Sequence, residues 1–251
     1  MKIPILCALL ISLNSGALCR AQEPPFSSAD DIVARMVARD RQRENLGGGY
    51  TGSRHYVLEN QRFGKHAEMT VAVDCDPDGT KHFKVTSEEG SRSANQRVLR
   101  KMLESEAETS RPDTRPSTRV SSDNYQFQML GSEVLDGRAA YVIQVLPKRS
   151  EKYLFEGRIW VDAEDFALVR AEGHPAKNPS FWTRSITFTH HYRKAGDFWF
   201  PSSTESITEA RIFGTTAVNI RYFDYAPNSE PGPQTTSKAS ASVNEVNYAE
   251  H

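Results

Sequence analysis

Met69-Thr70-Val71-Ala72-Val73-Asp74-Cys75-Asp76-Pro77-Asp78-Gly79-Thr80-Lys81-His82-Phe83-Lys84-Val85 decides the fold class. Met69, Val71, Val73 and Cys75 alternate with Thr70, Ala72 and Asp74. Successive side chains on a strand point to opposite faces, so this is a strand with one buried face. Asp76-Pro77-Asp78-Gly79 is a turn with Gly where positive φ is needed, and His82 to Val85 is the returning strand.

The same period of two continues outward. Upstream, Tyr50, Gly52, Arg54, Tyr56 and Leu58 alternate with Thr51, Ser53, His55, Val57 and Glu59. Downstream, Tyr125, Phe127 and Met129 lead to Val134-Leu135, and Asp136-Gly137 between apolar runs is a strong hairpin signal. Tyr141, Ile143 and Val145 return. Glu156–Val161 pairs with Ala167–Glu172 around Asp162-Ala163-Glu164-Asp165. Thr183–Tyr192 pairs with Trp199–Thr208 around Lys194-Ala195-Gly196-Asp197, and Arg211–Tyr225 closes the series.

Two segments break this rhythm. Ser28-Ala29-Asp30-Asp31 reads as a capping box, followed by Ile32, Val33, Met36 and Val37 at helical spacing and stopped by Gly47-Gly48-Gly49. One amphipathic helix over about 29–45 results. Residues 87–123 form a polar insert, with a short helix expected over 95–108 on Val98, Leu99, Met102 and Leu103, and a mobile loop over 111–118. The fold class is therefore mainly β with α: a curved antiparallel half-barrel of about nine to eleven strands, its concave face covered by an N-terminal helix and an inserted helix.

The ends set the domain limits. Met1 and Lys2, the apolar run Ile3–Leu13, and Cys19-Arg20-Ala21 have the three-part layout of a cleavable signal peptide. Cleavage after Ala21 fits, with Ala17 as the alternative. The expectation is a signal peptide at 1–21, a single domain at 22–225 and a disordered tail at 226–251. The location expected is the periplasm, or secretion.

The 251-residue chain has a formal charge of −1. Loss of Lys2 and Arg20 leaves 29 basic and 32 acidic residues, a balance that gives nucleic-acid binding no support. Cys75 then stands alone, so no intramolecular disulfide forms. Its pattern places it with Val71 and Val73 as a small buried apolar residue, and Asp74 and Asp76 would raise its pKa rather than activate it.

Catalytic motifs are not found: no Gly-x-Ser-x-Gly, phosphate loop or His-Glu-x-x-His. His190 and His191 are adjacent on a strand and point to opposite faces, which argues against one metal site; His174 is expected in a loop. Glu164 and Asp165 read as solvated turn residues. Arg35, Arg39 and Arg43 line one side of the first helix, a solvated face or a dock for an acidic partner. Ile159, Val161, Ile186, Phe188, Phe198, Phe200, Ile212, Val218 and Ile220 supply further apolar strand positions. They fill a core or leave a lipophilic pocket between sheet and helix; the pattern alone leaves both open.

Gly157-Arg158-Ile159-Trp160-Val161-Asp162, then Ala167-Leu168-Val169-Arg170-Ala171-Glu172-Gly173, resembles the hairpin of outer-membrane lipoprotein-sorting proteins. Gly196-Asp197-Phe198-Trp199-Phe200-Pro201 is similar to a later strand of that group. The layout over about 29–225 resembles the superfamily of the periplasmic lipoprotein carriers LolA and LolB and the sensor domain of RseB. The resemblance implies an eleven-stranded half-barrel, a cavity for acyl chains and no catalysis. It also implies a lid arginine, for which Arg35, Arg39, Arg43, Arg97 and Arg100 are candidates.

The expected function is then a periplasmic carrier of acyl chains or lipidated proteins, monomeric, without cofactor, metal or catalytic residue. Its expected cavity lining is Ile32, Met36, Met69, Val71, Val73, Tyr141, Ile143, Val145, Ile159, Val161, Ile186 and Phe188. An envelope sensor or scaffold that binds a protein partner is the alternative. A hydrolase or metal protein using His190 or His191 ranks third.

Overall fold

A computed structural model describes residues 28–46 and 48–228. The signal peptide and the tail beyond Asn228 lie outside the described residues. The described residues begin with α1 (Ala29–Leu46), where the Ser28 Oγ accepts from the Asp31 amide at 3.1 Å and donates to its carboxylate, so Ser28 caps the helix as expected. Strands β1 (Tyr50–Asn60), β2 (Lys65–Cys75) and β3 (Lys81–Gly90) follow.

The insert then folds as one long helix, α2, built from α-helical turns at Arg92–Ala94 and Arg100–Ser110 joined by a π-helical segment, Asn95–Leu99. It is longer than the 95–108 expected, because β3 runs on to Gly90 and the helix starts at once. Residues 111–118 are not a free loop. They hold the short helix α3 (Arg115–Thr118), and the Arg115 guanidinium donates to the Asp78 carbonyl at 2.5 Å.

Seven more strands follow among the described residues: β4 (Tyr125–Leu135), β5 (Arg138–Pro147), β6 (Phe155–Asp162), β7 (Leu168–Pro175), β8 (Thr183–Ala195), β9 (Phe198–Ala210) and β10 (Gly214–Pro227). His174 lies in β7 rather than in a loop. Ala226 and Pro227 belong to β10 rather than to the tail. Ile212 falls in the β9–β10 turn, exposed, instead of on a strand.

All ten strands form one antiparallel sheet in the order β3-β2-β1-β10-β9-β8-β7-β6-β5-β4. The first and last strands therefore meet inside the sheet, from Tyr50 opposite Pro227 to Asn60 opposite Thr216. β3 and β4 are the two edges, and residues 91–124 join one edge to the other. The sheet curls, with register shifts at Thr51/Ser53, Thr70/Val71, Met129/Gly131 and His191/Tyr192 adding local bends.

One line of opposed residues crosses the concave face: Met129, Ile143, Ile159, Ala171, His190, Thr204, Ile220, Tyr56 and Met69. Helices cover its two ends. Ile32, Val33 and Met36 of α1 pack with Tyr125, Tyr141, Ile143, Val145, Ile159 and Val161 in one core. Leu99 and Leu103 of α2 pack with Tyr56, Met69, Val71, Val218 and Ile220 in a second.

Gly157 and Gly173 face each other across β6 and β7. A Cβ on Gly157 would lie 2.0 Å from the Glu172 carbonyl oxygen and 2.6 Å from the Gly173 Cα. Backbone cannot yield as a side chain does, so Gly157→Ala is expected to force the strands apart and cost about 1–3 kcal/mol. Urea unfolding checks this; a midpoint equal to wild type would count against so tight a contact.

Candidate functional site

The two cores do not meet. Strands β8 and β9 lie between them and contribute to neither of the two buried clusters. A cavity of about 280 Å³ stands over this middle of the sheet. Its floor is Phe188, His190 and Tyr192 of β8. Its walls include Leu154 and Phe155, Leu168 and Ala171, and Val120 of the insert, with Lys152 and Tyr153 also lining it. Phe155 meets Phe188 edge to face at 5.4 Å. Two depressions of about 480 and 470 Å³ open elsewhere on the sheet, lined largely by polar and charged strand residues such as Glu156, Arg158, Asp74 and Lys84.

His190 and Tyr192 bring polarity to the floor beside Phe188. Its Nδ1 lies 2.7 Å from the Thr204 Oγ1, which lies 3.0 Å from the Tyr222 hydroxyl. Burial pushes the imidazole down to about 4, with a smaller push from His191. It is neutral at pH 7. Burial likewise pushes the Tyr192 phenol well above its usual range. His191 is opposite Ser203 and Arg170, one place along the strand from His190, so the two rings take different faces as expected.

The insert is fastened over this face by charge. Arg54 of β1 is buried and donates to both Glu106 carboxylate oxygens, at 2.5 and 2.9 Å. Lys81 reaches the same carboxylate at 2.7 Å. Burial would raise the Glu106 pKa, but Lys81 and Arg54 outweigh it and hold the carboxyl well below the usual range. The Arg54 guanidinium also lies over the rings of Phe83, at 5.1 Å, and Tyr222, at 4.9 Å. On the far side of α2, the Tyr153 hydroxyl donates to Glu108 at 2.8 Å.

Arg54 was not among the arginines singled out from sequence. Arg35 lies over Phe166 at 5.4 Å, Arg39 donates to Gln42, and Arg100 pairs with Glu88 at 2.8 Å; the Arg43 side chain is outside the described residues. The signal for Arg54 was a charge on the apolar face of a strand, between Gly52 and Tyr56.

Of the twelve residues expected to line a cavity, Phe188 lines this one and Val73 lines the depression of about 470 Å³. Ile32, Met36, Tyr141, Ile143, Val145, Ile159 and Val161 are packed in the first core, and Met69 and Val71 in the second. Val73 is buried on β2, and Ile186 is half-buried on β8. Cys75 is buried as expected, with its thiol pushed up by burial. Asp165 is not merely solvated: it accepts from Arg138, Lys194 and the Trp199 indole, while Glu164 is exposed and pairs with Arg138. Among the described residues, no three His, Cys, Asp or Glu side chains are grouped to hold a metal ion.

Residues 115–228 match the model of a family of unknown function, DUF5686. No curated protein matches the sequence. Among solved structures, a LolA superfamily protein from Nitrosomonas europaea is similar at 12% identity and a TM-score of 0.43, over 82% of this chain and 96% of that one. An outer membrane lipoprotein-sorting protein domain from Vibrio parahaemolyticus is similar at 12% identity and a TM-score of 0.40, over 79% and 92%. The MucA/MucB complex of Pseudomonas aeruginosa gives 9% identity and a TM-score of 0.28, over 80% and 100%.

Glu106→Ala would leave Arg54 buried with its partner gone, so a loss of roughly 3–5 kcal/mol is expected from urea unfolding. His190 adds a pH dependence of definite sign. The unfolded chain takes up a proton near pH 6.5 that the folded chain refuses until about pH 4. Stability from this group is complete above about pH 6.5 and is lost as the pH falls toward 4, by up to about 3 kcal/mol. His190→Gln should flatten that slope in a comparison of melting temperatures. The comparison cancels His66, whose imidazole Glu59 and Glu68 hold above its usual value.

Proposed function

We propose that this protein is an exported, non-catalytic carrier that holds acyl chains, free or attached to a lipidated protein, between its concave face and the two covering helices. The observation that supports this reading is the gap between the two cores. A sheet with a single continuous core would have no reason to leave Phe188 and Tyr192 facing a cavity at its centre.

The volume sets a limit. About 280 Å³ lies just under the range of roughly 300–1,000 Å³ usual for small-molecule sites. It takes a short length of hydrocarbon. A longer chain enters only if a helix lifts and exposes part of a core, which is where the remaining expected lining residues stand. The lifted element is more readily α2 than α1. Its attachment combines an apolar stripe with the Arg54–Glu106–Lys81 cluster, whose charges regain water when they separate. Each buried methylene contributes about 0.8 kcal/mol, so the chain itself offsets the cost of opening.

Titration with a fluorescent fatty acid tests the reading, with native mass spectrometry to count the bound ligand. Binding in the micromolar range is expected for the wild type. Phe188→Asp puts a charge on the cavity floor and should weaken it at least about tenfold, which corresponds to about 1.4 kcal/mol. Absence of binding at micromolar ligand, by wild type and by a Glu106→Gln variant with a loosened insert, would end the proposal.

A further inference from the structure

The strand registers sort the connecting loops onto two rims, and the rims differ in charge. The β1–β2 turn, the β5–β6 and β7–β8 loops and the β9–β10 turn share one rim. Segments 61–65, 148–154, 176–184 and 211–213 hold eight lysines and arginines against one acid, Glu151. The turns at the other rim, 76–80, 136–137, 162–167 and 196–197, hold seven acids and no base, partly offset by Arg138, Lys194 and Arg115 reaching onto them. A chain close to neutral overall is therefore strongly polarised from end to end.

The basic rim also carries five of the ten large apolar side chains that are exposed among the described residues, and all the exposed rings but Phe223. Phe63, Phe181, Trp182, Ile212 and Phe213 all lie there, with Phe181 73% and Phe213 54% exposed. Their four rings form two contacting pairs, bridged by the chain at Arg211. Phe63 and Phe213 meet edge to face at 6.3 Å. The Arg211 guanidinium lies over Phe181 at 4.8 Å, and its amide donates to the Trp182 carbonyl at 2.8 Å. Three loops thus present aromatic rings together, with Arg62, Lys177, Arg184 and Arg211 around them. Exposed apolar patches of this kind mark binding surfaces.

We propose that this rim docks on the surface of a lipid bilayer that carries anionic headgroups. Tryptophan and phenylalanine seat at the level of the headgroups, while surrounding arginines and lysines are drawn to anionic lipid. A neutral apolar partner would leave the basic ring without a counterpart; a purely acidic one would leave five apolar side chains against water. An anionic bilayer satisfies both. The acidic rim faces away from the membrane, so the charge distribution fixes orientation as well as attraction. The inference stands apart from acyl binding, although Lys152 and Tyr153 place one wall of the cavity at the same rim.

Vesicle flotation of the chain from Gln22 onward tests it, since that chain keeps every described residue and drops the apolar N-terminal stretch. Vesicles of equal parts phosphatidylcholine and phosphatidylglycerol are compared with phosphatidylcholine alone. Binding to the anionic vesicles at least about tenfold stronger, and weakened by salt, is expected. Arg62→Glu with Arg211→Glu, and separately Phe181→Ser with Trp182→Ser, should each lower it about tenfold. Circular dichroism shows whether each pair still folds, and Lys148→Glu with Lys177→Glu substitutes for a pair that does not. Fatty-acid titration of the folded charge-reversal variant should match wild type, which separates loss of docking from loss of acyl binding. No binding to anionic vesicles, equal binding to both kinds, or folded variants that bind as wild type would overturn the proposal.

Discussion

The architecture depends on one topological constraint: β3 and β4 are consecutive in the chain and lie at opposite edges of the sheet. The 34 residues from 91 to 124 must travel from one edge to the other. They cross the concave side, where α2 lays Leu99 and Leu103 on the β1, β2 and β10 side chains, and Val120 reaches the α1 core. The insert is thus a structural part of the cover over the concave face. It also restrains the two edges, since each is anchored to the same crossing segment.

That crossing divides the interior. α1 covers the β4–β7 side and α2 covers the β1–β3 and β10 side, so the sheet's middle must be finished differently. It is finished with polar and aromatic side chains. His190, Thr204 and Tyr222 hydrogen-bond in sequence along it, and Arg54 closes the series by stacking on Tyr222 and binding Glu106. An ion pair with Arg54 buried and Glu106 half-buried adds little net stability, because desolvation consumes much of the attraction, but its paired hydrogen bonds are directional. The polar fastening holds α2 in place through both Glu106 oxygens.

The local rules were readable in the chain, and the long-range pairings were not. Alternation around Met69–Cys75, the Asp136-Gly137 turn and the Ser28 cap each have a cause within a few residues, and each appears where it was expected. The β1–β10 ladder joins residues some 160 positions apart, for which periodicity holds no signal. Arg54 and Glu106 are separated by 52 positions and become partners only when the insert crosses the sheet. Pattern alone does not separate cavity wall from packed core, for a related reason. Alternation tells which face a residue takes, and Ile143 and Phe188 take the same face. Only the placement of the two helices decides that Ile143 is packed and Phe188 is left beside open space.

Polarity along the strand direction has a similar origin. In an up-and-down sheet, alternate connections fall on opposite rims, so charge that looks evenly mixed in sequence is sorted by topology. Asp76, Asp78, Asp136 and Asp197 sit in tight turns, where acids and glycine suit the backbone. The opposite connections are longer or carry exposed rings, as in Phe181-Trp182 and Ile212-Phe213, which turn chemistry does not require. Water exposure of those rings is unfavourable, and nothing in the turn geometry compensates for it. A surface that retains such residues beside arginines is built for a partner with both apolar and anionic character, and the cavity wall at Lys152 and Tyr153 lies at that same end of the molecule.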